Sequence, residues 1–231
     1  TAEQLEKSVQ LKAEYPDVYV HTHLSENKNE IAWVKELFPE HQSYLDVYHH
    51  YGLTGSKSVF AHCVHLEEQE WDCMHQTDSA IAFCPTSNLF LGSGLFPLKK
   101  AWDKGIKVGL GTDIGAGTSF NQLQTLNEAY KVQQLQGDKL SAFESLYHAT
   151  LGGAKALSLE DQLGNFNIGK EADFVVLDLN ATALQQLRQS KAKNIEDAFF
   201  ALIMLGDDRN IAVTYVSGEA VYAKTTAQQK A

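Results

Sequence analysis

Four short apolar runs, each stopped by a polar residue, constrain this chain more than any other feature. They are Val18-Tyr19-Val20-His21-Thr22-His23-Leu24-Ser25-Glu26, Ser58-Val59-Phe60-Ala61-His62, Ala80-Ile81-Ala82-Phe83-Cys84-Pro85-Thr86-Ser87-Asn88 and Lys107-Val108-Gly109-Leu110-Gly111-Thr112-Asp113. β-Branched and aromatic residues fit a pleated surface, and continuously apolar runs belong to strands covered on both faces. Helical patterns separate the runs, which is the layout of parallel βα units. In a parallel barrel all strand C-termini open on one side, so the polar residues that stop the runs would meet at one site.

The intervening segments carry helical spacing. Residues 1–15, with Leu5, Val9 and Leu11, predict an amphipathic helix packed on the sheet. Further helices are expected over 27–37, 44–51, 67–75, 98–104 (closed by Gly105), 120–135 and 141–157. Residues 88–94 read as a polar, glycine-containing loop over the barrel mouth, and such loops carry function. The pattern changes near Gly164, with a turn at 169–173, a strand at 174–179 and a hairpin from 211–216 to 218–221. The expected organisation is an α/β barrel portion over 1–160 and a small β-domain over 161–231, ending in a frayed polar stretch at 225–231.

Composition narrows the function. At 231 residues and 44% hydrophobic content the chain can bury one sizeable core. With 19 Lys and Arg against 29 Asp and Glu, the net charge of -10 repels a polyanion, which argues against nucleic acid as partner. No apolar run reaches the roughly 20 residues of a membrane span, and no signal pattern opens the chain. Three cysteines, Cys63, Cys73 and Cys84, are an odd number in core-like segments and read as reduced thiols, so the expected location is cytoplasmic.

His23, His62 and Asp113 each end or follow a strand. Two imidazoles and a carboxylate suit a borderline divalent ion, zinc first and iron its main competitor, acting as Lewis acid and lowering the pKa of a water. Glu26, three residues past His23, is placed to shuttle a proton. A single strand-end histidine is more often structural than a ligand; three such residues at successive strand ends reverse that balance. His21 is read as alternating with His23 and therefore structural, Cys63 and Val64 are set aside on the same ground, and His65 stays open. His49-His50 reads as a solvated or packing pair. Cys84-Pro85 lacks the second cysteine and the His-x-Glu of cytidine-type zinc deaminases, and no nucleophile elbow or phosphate-binding loop occurs.

The motifs His-Leu-Ser-Glu (23–26), Ala-His-Cys (61–63), Cys-Pro-Thr-Ser-Asn-Leu-Phe-Leu-Gly-Ser-Gly (84–94) and Gly-Thr-Asp-Ile-Gly-Ala-Gly-Thr-Ser (111–119) resemble the amidohydrolase superfamily. Within it they resemble the branch that deaminates guanine. The resemblance implies the C-terminal half of a (β/α)8 barrel, its fifth to eighth strands, with part of a small β-sandwich domain. It implies zinc held by His23, His62 and Asp113, with Asp113 also accepting a proton from the attacking water. Glu26 would protonate a purine ring nitrogen, Asn88 would lie near the substrate, and guanine would leave as xanthine and ammonia.

The family's first-strand His-x-His pair and its purine-recognising Arg-Phe element have no counterpart here. The implied chain is therefore one half of an enzyme about twice as long, inactive alone, with two long apolar edge strands seeking the missing half or a second copy. The family is commonly dimeric. Other aminohydrolases, acting on a triazine, a cytosine-like ring or an adenosine derivative, are the enzyme alternative, and a non-catalytic half-barrel interaction module is the other.

Overall fold

The computed structural model describes residues 1–225, so all but the first residue of the stretch expected to fray lies outside the described residues. A first helix, α1 (Ala2–Glu14), opens with a capping box between Thr1 and Gln4. It forms as expected but packs lightly: none of its residues is buried, Leu11 is exposed, and Lys12 anchors it through the carbonyls of Gly52 and Thr54.

The chain then alternates strand and helix. β1 (Val20–Leu24) leads to α2 (Lys28–Leu37) and α3 (Tyr44–His50); β2 (Ser58–His62) leads to α4 (Glu68–Gln76). β3 (Ala80–Phe83) leads to α5 (Pro85–Phe90) and α6 (Leu98–Asp103). β4 (Val108–Leu110) is followed by α7 (Gln122–Leu135), α8 (Ala142–Ala149) and α9 (Leu151–Ala156). The four strands form one parallel sheet in the order β1-β2-β3-β4. Local chemistry sets the helix starts: Asn27, Ser43 and Ser141 each accept a backbone N–H in the first turn, covering donors the helix cannot satisfy itself.

Register sorts the residues into two faces. Thr22 pairs with Phe60, Phe60 with Ile81 and Ile81 with Val108, so the large apolar residues form one row. That row packs against Leu45, Trp71, Met74, Ala101 and Val132 of the helices. Phe60, Phe83, Phe96 and Trp71 are all at most 1% exposed, and each contributes roughly 1.5–3 kcal/mol by burial. On the opposite face His23 pairs with Ala61, Ala61 with Ala82 and Ala82 with Gly109. These side chains are small, and the space they leave is the cavity described below.

Three expectations change. His21 and His23 are two residues apart, so the pleat puts them on the same face, and both line that cavity. Residues 85–90 are helical, not strand or loop: Pro85 sits in the first turn, where its fixed φ and missing N–H cost nothing, and the Asn88 N–H donates to the Cys84 carbonyl. The open edges are short, since β4 has 3 residues and β1 has 5, two of them histidines.

Past residue 161, β5 (Phe174–Leu177), β6 (Ile211–Val216) and β7 (Glu219–Ala223) form an antiparallel sheet in that order. Two helices stand where only β-structure is expected: α10 (Ala183–Gln189), capped by Thr182 and Gln185, and α11 (Ile195–Leu205), capped by Asn194. Leu202 and Ile203 of α11 share a core with Leu123, Leu126 and Ala142 of α7 and α8. Asn127 of α7 donates to the carbonyls of Ile203 and Met204. Among the described residues no helix is long and apolar enough to cross a membrane.

Candidate metal and proton-transfer site at the strand ends

The strands deliver His23, His62 and Asp113 to one place. One ligand atom from each lies within 4.8 Å of the others, and they form the one such group of three among the described residues. The ring centroids of His23 and His62 are 5.2 Å apart, and His62 Nε2 is 3.9 Å from Asp113 Oδ2. Next to them a cavity of about 400 Å3 is lined by His21, Thr22, His23, Ala61, Ala82, Cys84, Gly111 and Asp113.

His62 reaches this group by breaking the pleat. It pairs with Leu24 in register, so alternation alone would send its ring to the Phe60 face. Its φ of 73° and the 50° of Cys63 end the strand in left-handed backbone. Ser25 and Asp113 are left-handed too, at 49° and 48°. Each such non-glycine residue costs on the order of 1–3 kcal/mol, and strain of this kind persists where the surrounding structure holds it for a function. Gly117 fits the turn after Asp113, since a Cβ there would lie 1.8 Å from the Thr112 carbonyl oxygen.

A hydrogen-bonded bracket surrounds the site. Asn88, on α5, accepts through Oδ1 from His62 Nδ1 at 2.8 Å. Its carbonyl accepts the Ser93 N–H at 2.8 Å, and the Ser93 hydroxyl donates to Glu26 Oε1 at 2.8 Å. His65 Nε2 donates to the Ser93 carbonyl at 2.8 Å, and the His65 N–H donates to the Ser25 carbonyl. From the other side Glu30 accepts the Glu26 N–H through Oε2 and the Tyr44 hydroxyl through Oε1, each at 3.1 Å. Glu26 Oε1 lies 3.8 Å from His62 Nδ1.

The sequence-based candidates are thus distributed unevenly. His23, His62, Asp113 and Glu26 come together. Asn88 is 1% exposed and does not line the cavity, so its amide reaches His62 and not the space a substrate would fill. His49 bonds Thr54 and His50 packs on His41, both outside this group. The sequence reading left His65 open, took Ser93 only as part of the 84–94 motif and did not single out Glu30; their spacing becomes meaningful only once the chain after β3 brings Asn88 to His62 and Ser93 to Glu26.

The donor set fits a divalent ion. The Asn88 bond occupies His62 Nδ1 and leaves Nε2 as the free nitrogen on the Asp113 side. Neighbouring ligands of a tetrahedral zinc lie roughly 3–4 Å apart, so small side-chain rotations would close the present spacing. Cys84 lies beside Asp113 and, with no ion present, is a neutral thiol: burial first, and the Asp113 charge second, push its pKa up to about 12. All three cysteines are free.

The chain belongs to the amidohydrolase family, whose sequence pattern matches residues 1–221. Its α/β arrangement around a parallel sheet matches solved members of that family. It is 66% identical over 222 residues to guanine deaminase of Escherichia coli K12, covering 96% of this chain and 51% of that protein. The structure of an E. coli guanine deaminase superposes with a TM-score of 0.96 at 65% identity, over 97% of this chain and 53% of that one. A guanine deaminase of C. acetobutylicum, solved with guanine in its active site, gives 0.86 at 32% identity, over 96% and 52%. An atrazine chlorohydrolase of Arthrobacter aurescens complexed with zinc gives 0.81 at 25%, over 96% and 48%. The chain spans about half the length of the curated relatives it matches.

Proposed function

We infer that this chain carries the metal and proton-transfer half of a guanine deaminase, the hydrolase that converts guanine and water to xanthine and ammonia. The observation that carries the reading is the convergence of two imidazoles, an aspartate and a hydroxyl-held glutamate beside one cavity, in a chain 66% identical to an E. coli guanine deaminase.

His23, His62 and Asp113 would hold the ion, zinc in preference to iron. When bound, it supplies Lewis acidity and an acidified water. Asp113 would accept a proton from the attacking water at a carboxylate oxygen. Glu26 would pass the water's other proton to a purine ring nitrogen, and the proton held on Asp113 would go to the departing amine, which leaves as ammonia, while Ser93 keeps the Glu26 carboxylate on the His62 side. A part-buried, hydrogen-bonded carboxylate holds its geometry while it takes up and passes on the proton. Ala61, Ala82 and Gly111 leave room for a planar ring beside the sheet.

In this reading residues 1–160 supply the fifth to eighth strands of a (β/α)8 barrel, and 161–231 supply part of a small β-domain together with α10 and α11. β1 and β4 each pair on one side only among the described residues, and a complementary set of strands would close the ring and add metal ligands. The chain alone would bind zinc weakly and turn over poorly; the closed enzyme would be a dimer, and its free thiols fit the reducing cytoplasm. A scaffold role leaves the Ser93–Glu26 bond without a purpose. The test is ammonia release from guanine by the barrel-complete protein, with and without zinc, beside its Glu26→Gln variant. Zinc-dependent release that the variant loses supports the reading, and equal release by the variant refutes it.

A further inference from the structure

We propose that His65 is a positioning residue that brings the Ser93 hydroxyl to the Glu26 carboxylate, by tying together the two segments that carry them. The inference rests on the reading of Glu26 as the proton carrier of a guanine deaminase. It gives a role to a histidine that belongs neither to the His23, His62 and Asp113 group nor to the cavity lining.

His65 reaches both segments at once. Its main-chain N–H donates at 3.1 Å to the carbonyl of Ser25, the residue before Glu26, and its ring Nε2 lies 2.8 Å from the Ser93 carbonyl oxygen. A main-chain carbonyl only accepts, so Nε2 is the donor and carries a proton. With the 2.8 Å bond from the Ser93 hydroxyl to Glu26 Oε1, the contacts close a circuit from Glu26 through Ser25, His65 and Ser93 back to Glu26. Its members come from three separate stretches of chain, and His65 is the one that touches both of the others through two different groups.

Both ends need holding. Ser93 stands between Gly92 and Gly94, whose φ angles are +70° and +135°. Glycine loses more backbone freedom on being fixed than any other residue, so a serine flanked by two of them keeps one position only if it is anchored. Asn88 anchors its N–H and His65 anchors its carbonyl. On the other side Ser25 is left-handed, with φ 49°, and the bond from His65 to its carbonyl fixes the direction in which the chain enters Glu26. A Cβ on Gly94 would lie 3.3 Å from His65 Cε1 and 3.5 Å from Nε2, so the bare glycine is what lets the ring come up to the carbonyl it bonds. Ser93 is 7% exposed, which limits water as a substitute donor.

A histidine that merely stapled this loop would add stability whether or not the Ser93 hydroxyl were present. A positioning residue acts on the reaction through that hydroxyl, and a double-mutant cycle separates the two. The test measures kcat and KM for guanine with the barrel-complete, zinc-loaded protein and its His65→Leu, Ser93→Ala and doubly substituted forms, beside urea unfolding of each. Losing one neutral hydrogen bond corresponds to about 2- to 12-fold, so His65→Leu should lower kcat by about that factor while KM holds. In the Ser93→Ala background the same substitution should change kcat by less than about twofold. His65→Gln, whose amide can place an N–H near the Nε2 position, should recover most of kcat. An equal loss of kcat with and without the Ser93 hydroxyl, or an effect confined to stability, overturns the proposal. Long-range 1H–15N spectra of the 15N-histidine-labelled parent, which need neither a substitution nor activity, should show the His65 proton on Nε2, and a ring protonated on Nδ1 alone overturns the proposal as well. Failure of the parent to release ammonia from guanine would instead refute the guanine deaminase reading, and these spectra would still decide the His65 clamp.

Discussion

Gly94 ends the bracket that holds Glu26, and replacing it with alanine probes how rigid that bracket is. Its φ is +135°, a region L residues rarely adopt, and a Cβ there would lie 2.8 Å from Val64 Cγ1 and 3.3 Å from His65 Cε1. The backbone contribution is about 1–2 kcal/mol. Val64 is 8% exposed and β-branched, so its methyl cannot swing aside freely; forcing a methyl into such a packed site costs another 1–3 kcal/mol or so. Gly94→Ala is therefore expected to destabilise by about 2–5 kcal/mol in total. Gly92 provides the control: its φ is +70° and nothing lies within 4 Å of a Cβ there, so Gly92→Ala bears the backbone cost alone. Urea unfolding followed by tryptophan fluorescence compares the two variants. Adding Val64→Ala to each should relieve part of the cost of Gly94→Ala and leave that of Gly92→Ala unchanged. Equal costs before Val64 is trimmed, or no relief afterwards, would refute the assignment of the strain to this contact.

Two further outcomes follow from the same geometry. Ser93→Ala removes the hydroxyl that donates to Glu26; a hydrogen bond to a charged group contributes about 1.5–3 kcal/mol, so kcat of the barrel-complete protein should fall roughly 10- to 150-fold while KM holds. Ser93→Thr should recover most of that loss, and a Ser93→Ala effect confined to KM would contradict the assignment. His148 is buried, and desolvation holds its pKa below the ordinary 6.5. The unfolded chain then binds the proton more readily, so the His148 contribution is fully present above about pH 6.5 and is lost as pH falls through the lower folded value. Urea midpoints measured from pH 8 downward should show this acid-side loss, and a His148→Gln variant should show a shallower slope.

Much of the architecture was legible in the order of residues. Continuous apolar runs separated by helical spacing are a strong pattern for parallel βα units, and all four strands lie within the runs that announced them. The strand ends also marked His23, His62 and Asp113, because a polar residue closing an apolar run has few other places to be. The helices α10 and α11 were missed although their capping signals, Thr182 with Gln185 and Asn194 with Asp197, stand in the sequence. The run Ile195–Leu205 is apolar on nearly every side, so its period does not separate helix from strand.

Period-2 alternation, applied correctly, puts His21 beside His23 and would send His62 to the opposite face. The left-handed backbone at His62 reverses that second placement. No local preference requires a histidine to adopt it; the surrounding packing and the Asn88 bond hold it there. The same holds for the circuit from His62 through Asn88 and Ser93 to Glu26, whose members are up to 67 residues apart. Sequence determined the elements, because helix, strand and cap are decided by neighbours within a few residues. Only the tertiary structure decided which side chains meet at the strand ends, because a ring's direction there depends on backbone angles that distant packing imposes.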